Sequence, residues 1–166
     1  MENKSPGPFR RSLVFSIQLT ALISLLHVLR VVTNFPPLSW GILARDTDGL
    51  IGIVFAPLLH GSWGHLFSNI PPLAALTFML FYFYKRIAWQ AFSMIYLLTG
   101  VAVWGLGRGD VVHVGASGVV YGLVAFVFWS GIFRRNIKSI ILALIVLMYY
   151  GSMFVGIFPG KEGISW

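Results

Sequence analysis

The run VHVGASGVVYGLVAFVFWSGIF, from Val112 to Phe133, carries no charged side chain. It is as long as the roughly 20 apolar residues a helix needs to cross a ~30 Å hydrocarbon core. Near its start lie Gly115, Ala116, Ser117 and Gly118, small residues with one hydroxyl among them. Four other stretches of the same kind surround it: Leu13–Val32, Trp63–Tyr84, Ile87–Leu106 and Ile137–Phe158. Hydrophobic residues make up 57% of the 166-residue chain and charged residues 10%, with a mean hydropathy of +0.82. A soluble domain carries about 25% charged residues, so a water-soluble globule is excluded. In lipid every backbone polar group must be satisfied internally, and apolar runs of this length do so as helices. The fold class is therefore an all-α membrane protein, a multi-span helical bundle with five transmembrane helices. Residues 1–12 read as a basic tail and 13–166 as the membrane domain.

The chain has no cysteine, which excludes disulfides, thiol catalysis and cysteine-ligated metals. Its net charge of +7 would point to nucleic acid in a soluble protein. Here the placement of charge gives a different reading. Lys4, Arg10, Arg11, Lys85, Arg86, Arg134, Arg135 and Lys138 share one side with Glu2. Arg30, Arg45, Arg108 and Lys161 fall on the other, beside Asp46, Asp48, Asp110 and Glu162. The positive-inside rule puts the N-terminus in the cytoplasm, and the basicity reports topology rather than a nucleic-acid partner. The first run is too long for the apolar core of a cleaved signal and reads as a permanent span. The longest connection, about Thr33 to Ser62, lies outside and holds the turn Arg45-Asp46-Thr47-Asp48-Gly49. Its apolar part, Leu50–Leu59, is too short to span and is expected in the interface or as a re-entrant piece.

Polar groups inside a membrane are functional candidates by default. His60, His65 and Asn69 gather where the second span begins, and His65 and Asn69, four apart, share a helix face. Ser117 opens the fourth span, with Tyr121 one turn on. Both spans run from outside to inside, so these groups lie at matching depths. A serine needs a base to become a nucleophile. Gly115 and Gly118 permit close approach and unusual dihedrals beside it. Unpaired N–H groups at a helix start could hold an oxyanion, with Asn69 and His65 as side-chain donors. The Gly118/Gly122 spacing suits close helix packing. Plainer readings stand beside these: a packing motif for Gly-x-Ser-Gly, an interfacial histidine, an interhelical tie worth about 1 kcal/mol for Asn69. His113 reads as a loop residue or a stand-in base. A metal site of His60, His65 and His113 lacks a carboxylate other than Asp110. His27 and Arg30 receive no chemistry.

The conjunction His60-x4-His65-x3-Asn69 with Gly115-x-Ser117-Gly118-x2-Tyr121 resembles the rhomboid family of intramembrane serine proteases. That resemblance implies a six-helix core, Ser117 as nucleophile, and Asn69 with His65 stabilising the oxyanion. It places Tyr121 beside the base and gives His60 a supporting role in the outer loop and its water access. It implies transmembrane protein substrates, a bilayer setting consistent with a prokaryotic plasma membrane, and no metal or organic cofactor. Two departures accompany it. Leu50-Ile51-Gly52-Ile53 stands where many members carry a Trp-Arg pair, and the family's base histidine would fall just beyond Trp166. The 166-residue chain by itself is therefore expected to show little proteolysis, and loss of a sixth helix to expose the Gly118/Gly122 face. The alternative reading is a non-catalytic rhomboid-like protein that binds transmembrane helices.

Overall fold

A computed structural model of the chain describes residues 7–134, with isolated positions from 137 to 148. The expected span Ile137–Phe158 thus falls outside the continuously described residues. Among the described residues the chain forms α1 (Pro8–Thr33), a single turn α2 (Gly52–Phe55), α3 (Trp63–Phe83), α4 (Ala88–Leu106) and α5 (Ser117–Arg134). The first, third and fourth are long and apolar enough to cross a membrane. The 18 residues of α5 reach about 27 Å at 1.5 Å per residue, and they are apolar through Phe133. The protein is an all-α, multi-span bundle.

Local chemistry sets the helix ends. Pro8 opens α1, where its missing N–H costs nothing and its fixed φ is already helical. The helix therefore starts before the apolar run and takes Arg10 and Arg11 into its first turns. At the other end Asn34 adopts a left-handed conformation and its N–H returns to the Arg30 carbonyl at 2.8 Å. Ser62 caps α3 by accepting from the His65 N–H at 3.2 Å. The apolar run begins at Val112, but the helix α5 begins at Ser117, as the reading of that serine at a helix start expected. Residues before it are held extended by a two-bond bridge, Ile42 N–H to the His113 carbonyl at 2.9 Å and His113 N–H to the Ile42 carbonyl at 2.8 Å. An antiparallel bridge cannot be continued in helical geometry, so the apolar run divides into a strap and a helix.

The centre of the bundle is α3. Its buried positions Leu66, Asn69, Leu73, Leu76, Thr77 and Leu80 recur at helical spacing. The four leucines among them meet Ile23 of α1 and Val119, Val120, Leu123, Val124 and Val127 of α5 in one core cluster. The opposite side of α1, with Leu22, Leu25 and Val32, is exposed and faces lipid. Apolar burial gives no net drive between helices in lipid, so close approach and hydrogen bonding hold the bundle. Gly122 provides the closest approach: a Cβ there would lie 2.5 Å from Cγ2 of Ile95 and 3.2 Å from Cγ2 of Thr99. A Cβ on Gly118 would lie 3.5 Å from that of Thr99. The Gly118/Gly122 face is thus covered by α4, which corrects the expectation that it waits exposed for a further helix.

The long connection between α1 and α3 folds as short helical turns over Thr47–Leu58. It lies on α4, where the Tyr96 hydroxyl donates to the Val54 carbonyl and Ile53 packs against Gly100. Arg45 fastens its front end: the guanidinium donates to the Gly107 carbonyl at 2.7 Å and the backbone N–H to that of Trp104 at 2.8 Å. The Trp104 indole N–H answers to the Asp46 carbonyl at 2.8 Å. The exposed ion pair Arg108–Asp110, 2.6 Å, lies in the following loop.

Candidate active site

Three constraints shape the turn that presents Ser117. Gly115 has φ +115°, a conformation L side chains rarely adopt, and its N–H donates to the Ala56 carbonyl at 2.8 Å. The His65 imidazole lies directly against it, since a Cβ on Gly115 would stand 2.5 Å from both Cε1 and Nε2. Next in the chain, the Ala116 N–H points at Nε2 of His60, 3.5 Å away. The serine follows as the first residue of α5. The first intrahelical bond runs from Val120 N–H to the Ala116 carbonyl at 3.0 Å. The amides of Ser117, Gly118 and Val119 therefore precede the hydrogen-bonded ladder and form the positive end of the helix dipole.

A cavity of about 50 Å³ opens beside this turn, lined among others by Ser117, Gly118, His113, Thr99, Ala56 and Pro57. That is room for water against the hydroxyl. Among the described residues no hydrogen bond engages Ser117 Oγ. His113, though buried and beside the cavity, has its Nε2–H committed to the Arg108 carbonyl at 2.9 Å and its backbone committed to Ile42. That engagement makes it a structural residue of the strap.

The other expected residues divide by what they touch. His65 is brought to the serine turn. Asn69 shares its face, as the spacing required, but its amide donates to the His65 carbonyl at 2.8 Å and not across to α5. Tyr121 sits half-buried one turn along from Ser117. His60 is fully buried, its ring 5.0 Å from that of His65 between centroids. Among the described residues no three metal-ligating side chains converge.

Accepting from Ala116 requires the lone pair of His60 on Nε2 and a neutral ring with its proton on Nδ1. The environment enforces this. Burial, then the positive charge of a protonated His65 or His27, and lastly Arg30, push its pKa from 6.5 down to about 4. An unfolded chain takes up this proton near pH 6.5, whereas the folded one resists until about pH 4. Stability from this group is therefore complete above pH 6.5 and lost progressively as pH falls towards 4. Thermal midpoints in detergent should drop across that window for the native protein and drop less for His60→Phe. Equal pH slopes in the two proteins would rule the linkage out.

Two residues that the sequence left without a role enter here. His27 of α1, buried, donates from Nδ1 to the His60 carbonyl at 3.1 Å. Arg30, three residues on, donates from Nη2 to the Gly61 carbonyl at 3.3 Å. Trp63 meets the His27 ring edge-on, with centroids 4.6 Å apart. The only advance sign of this in the sequence was a polar pair at helical spacing inside an apolar run.

Fold and turn together define a polytopic helical membrane protein presenting a serine at a helix N-terminus, below a strapped outer loop. Residues 47–166 match the Rhomboid domain family model, and the chain belongs to the rhomboid family. An uncharacterised protein of Mycobacterium tuberculosis and one of Mycobacterium bovis are each 39% identical to it over 135 residues, 76% of this chain and 56% of the relative. An uncharacterised protein of Mycobacterium leprae is 35% identical over 155 residues, 88% of this chain and 61% of the relative. The chain thus spans little more than half the length of the curated relatives it matches. No solved structure gives a significant match.

Proposed function

We propose that the full-length protein is an intramembrane serine endopeptidase that cleaves transmembrane segments of other membrane proteins, with Ser117 as its nucleophile. The observation that carries this reading is the turn itself. A positive-φ glycine, packed against an imidazole, delivers a serine hydroxyl without a hydrogen bond among the described residues to a water-sized cavity at a helix start. The base is a histidine beyond Trp166, in the sixth helix that the family resemblance implies. It takes the serine proton as Oγ attacks a peptide carbonyl of the substrate, which must first unwind, since a helical amide is shielded by its own hydrogen bonds. The oxyanion is met by the free amides of the first α5 turn, by His65 and by Asn69. Asn69 must release the His65 carbonyl to do so. The base then protonates the leaving amine, and water admitted through the cavity hydrolyses the acyl-enzyme.

His60 supports this by fixing Ala116, Gly115 and Gly118 by letting the backbone close up, and Tyr121 by flanking the base. The charge pattern of the sequence, eight cations and one acid in the tail and two connections against four cations and four acids in the others, supports a cytoplasmic N-terminus and a site near the outer surface. A fluorophosphonate probe applied to the full-length protein in detergent tests the reading. Covalent labelling at Ser117 is the expected result. A folded full-length protein, with its base histidine present, that takes up no probe belongs instead with non-catalytic binders of transmembrane helices.

A further inference from the structure

We propose that His27, on the first helix, is a positioning residue for the serine turn, acting through the backbone of His60. The inference rests on the protease reading for its activity arm only. Two carbonyls in succession, those of His60 and Gly61, are gripped from one face of α1 by His27 and Arg30. These are the residues leading from the outer loop into α3, and without a grip they would be free to shift as a loop. Because the His60 carbonyl is fixed, so is the origin of its side chain, and with it the Nε2 that receives the Ala116 N–H. Ala116 is the residue before Ser117. A continuous path of contacts thus runs from α1 to the nucleophile: His27 Nδ1–H, His60 carbonyl, His60 ring, Ala116 amide.

The geometry excludes a casual contact. His27 is buried to 1% exposure and His60 to 0%, so each hydrogen bond is made away from solvent competition. The carbonyl can only accept, which places the His27 proton on Nδ1 and defines its role as a donor. Packing against Trp63 holds the ring edge-on, so the donor points in one direction. A phenylalanine would keep the ring and lose the donor. An asparagine would lose the ring and keep a donor near the Nδ1 position. The two variants separate geometry from bulk.

The test uses the full-length protein as native, His27→Phe and His27→Asn, with two readouts. Hydrogen exchange of the peptide covering Gly115–Ser117 measures how firmly the turn is held, whatever the protein's activity. Fluorophosphonate labelling of Ser117 measures its reactivity. His27→Phe is expected to raise exchange in that peptide at least ~10-fold and slow labelling by ~10-fold or more, the scale of a small misplacement of reacting groups. Exchange in the middle of α3 and α5 should stay unchanged. His27→Asn should recover most of both effects. Native-like exchange in His27→Phe, or an asparagine variant as loosened as the phenylalanine one, overturns the proposal. Absence of probe uptake by the native protein sinks the protease reading, and the exchange comparison still decides this one.

Discussion

Ser117→Ala in the full-length protein should abolish both probe uptake and cleavage of a transmembrane substrate. A nucleophile acting with a base supplies on the order of 10⁴- to 10⁶-fold of rate, and nothing else at this site replaces it. The nearby serine and threonine hydroxyls are committed: Ser68 Oγ donates to the His65 carbonyl at 2.8 Å and Thr99 Oγ1 to that of Ile95 at 2.7 Å. The substitution removes one oxygen from a half-buried position that makes no hydrogen bond among the described residues, so the thermal midpoint should move little. Loss of activity with folding retained is thus the signature. Residual cleavage above a tenth of native would transfer the chemistry elsewhere.

Gly115→Ala should damage the serine turn twice over, by backbone strain and by collision. A positive-φ conformation outside the usual left-handed well costs a side-chain-bearing residue about 1–3 kcal/mol. The new Cβ would also lie 2.5 Å from two ring atoms of His65, a collision that adds overpacking of similar size. Relief comes from a shift of the His65 ring and, for the dihedral strain, from a movement of Ala116 and Ser117. We expect a lower thermal midpoint and labelling slowed at least ~100-fold, the cost of a displacement near 1 Å. Gly115→Ala with His65→Ala removes the collision and keeps the dihedral strain, so it should regain part of the stability and none of the reactivity. A Gly115→Ala protein that labels like the native one would show that the turn is not under this constraint.

How far the sequence revealed this follows from the range of each interaction. Spacing alone put His65 and Asn69 on one face, and the Asn69-to-His65 hydrogen bond lies within a single helical turn. The Gly118/Gly122 pair announced close packing, because small residues four apart have few other uses in a membrane helix. It did not announce the partner, which is α4. The start of α5 at Ser117 was legible from the small residues around it, but the extended strap before it was not, since Val112 to Ala116 are as apolar as the helix. What holds them extended is Ile42, 71 positions before its bridge partner His113 and adjacent only in the fold. His27 was passed over for the same reason. Its partner is a backbone carbonyl 33 positions away, and backbone leaves no mark in a sequence pattern.

The serine turn is fixed by groups from four separated parts of the chain: Ile42 and Ala56 from the outer loop, His60, His65, and, through His60, the first helix. The contact between His60 and Ala116 alone closes a separation of 56 residues. Contacts of such long range form late, after the elements that carry them have been inserted and docked. A newly synthesised chain therefore holds Ser117 in an unformed turn until its first three long helices are together in the bilayer. The order of assembly becomes a safeguard under the proposed function: a serine set among the nascent proteins of the same membrane acquires its final geometry only at the end of its own chain's biogenesis.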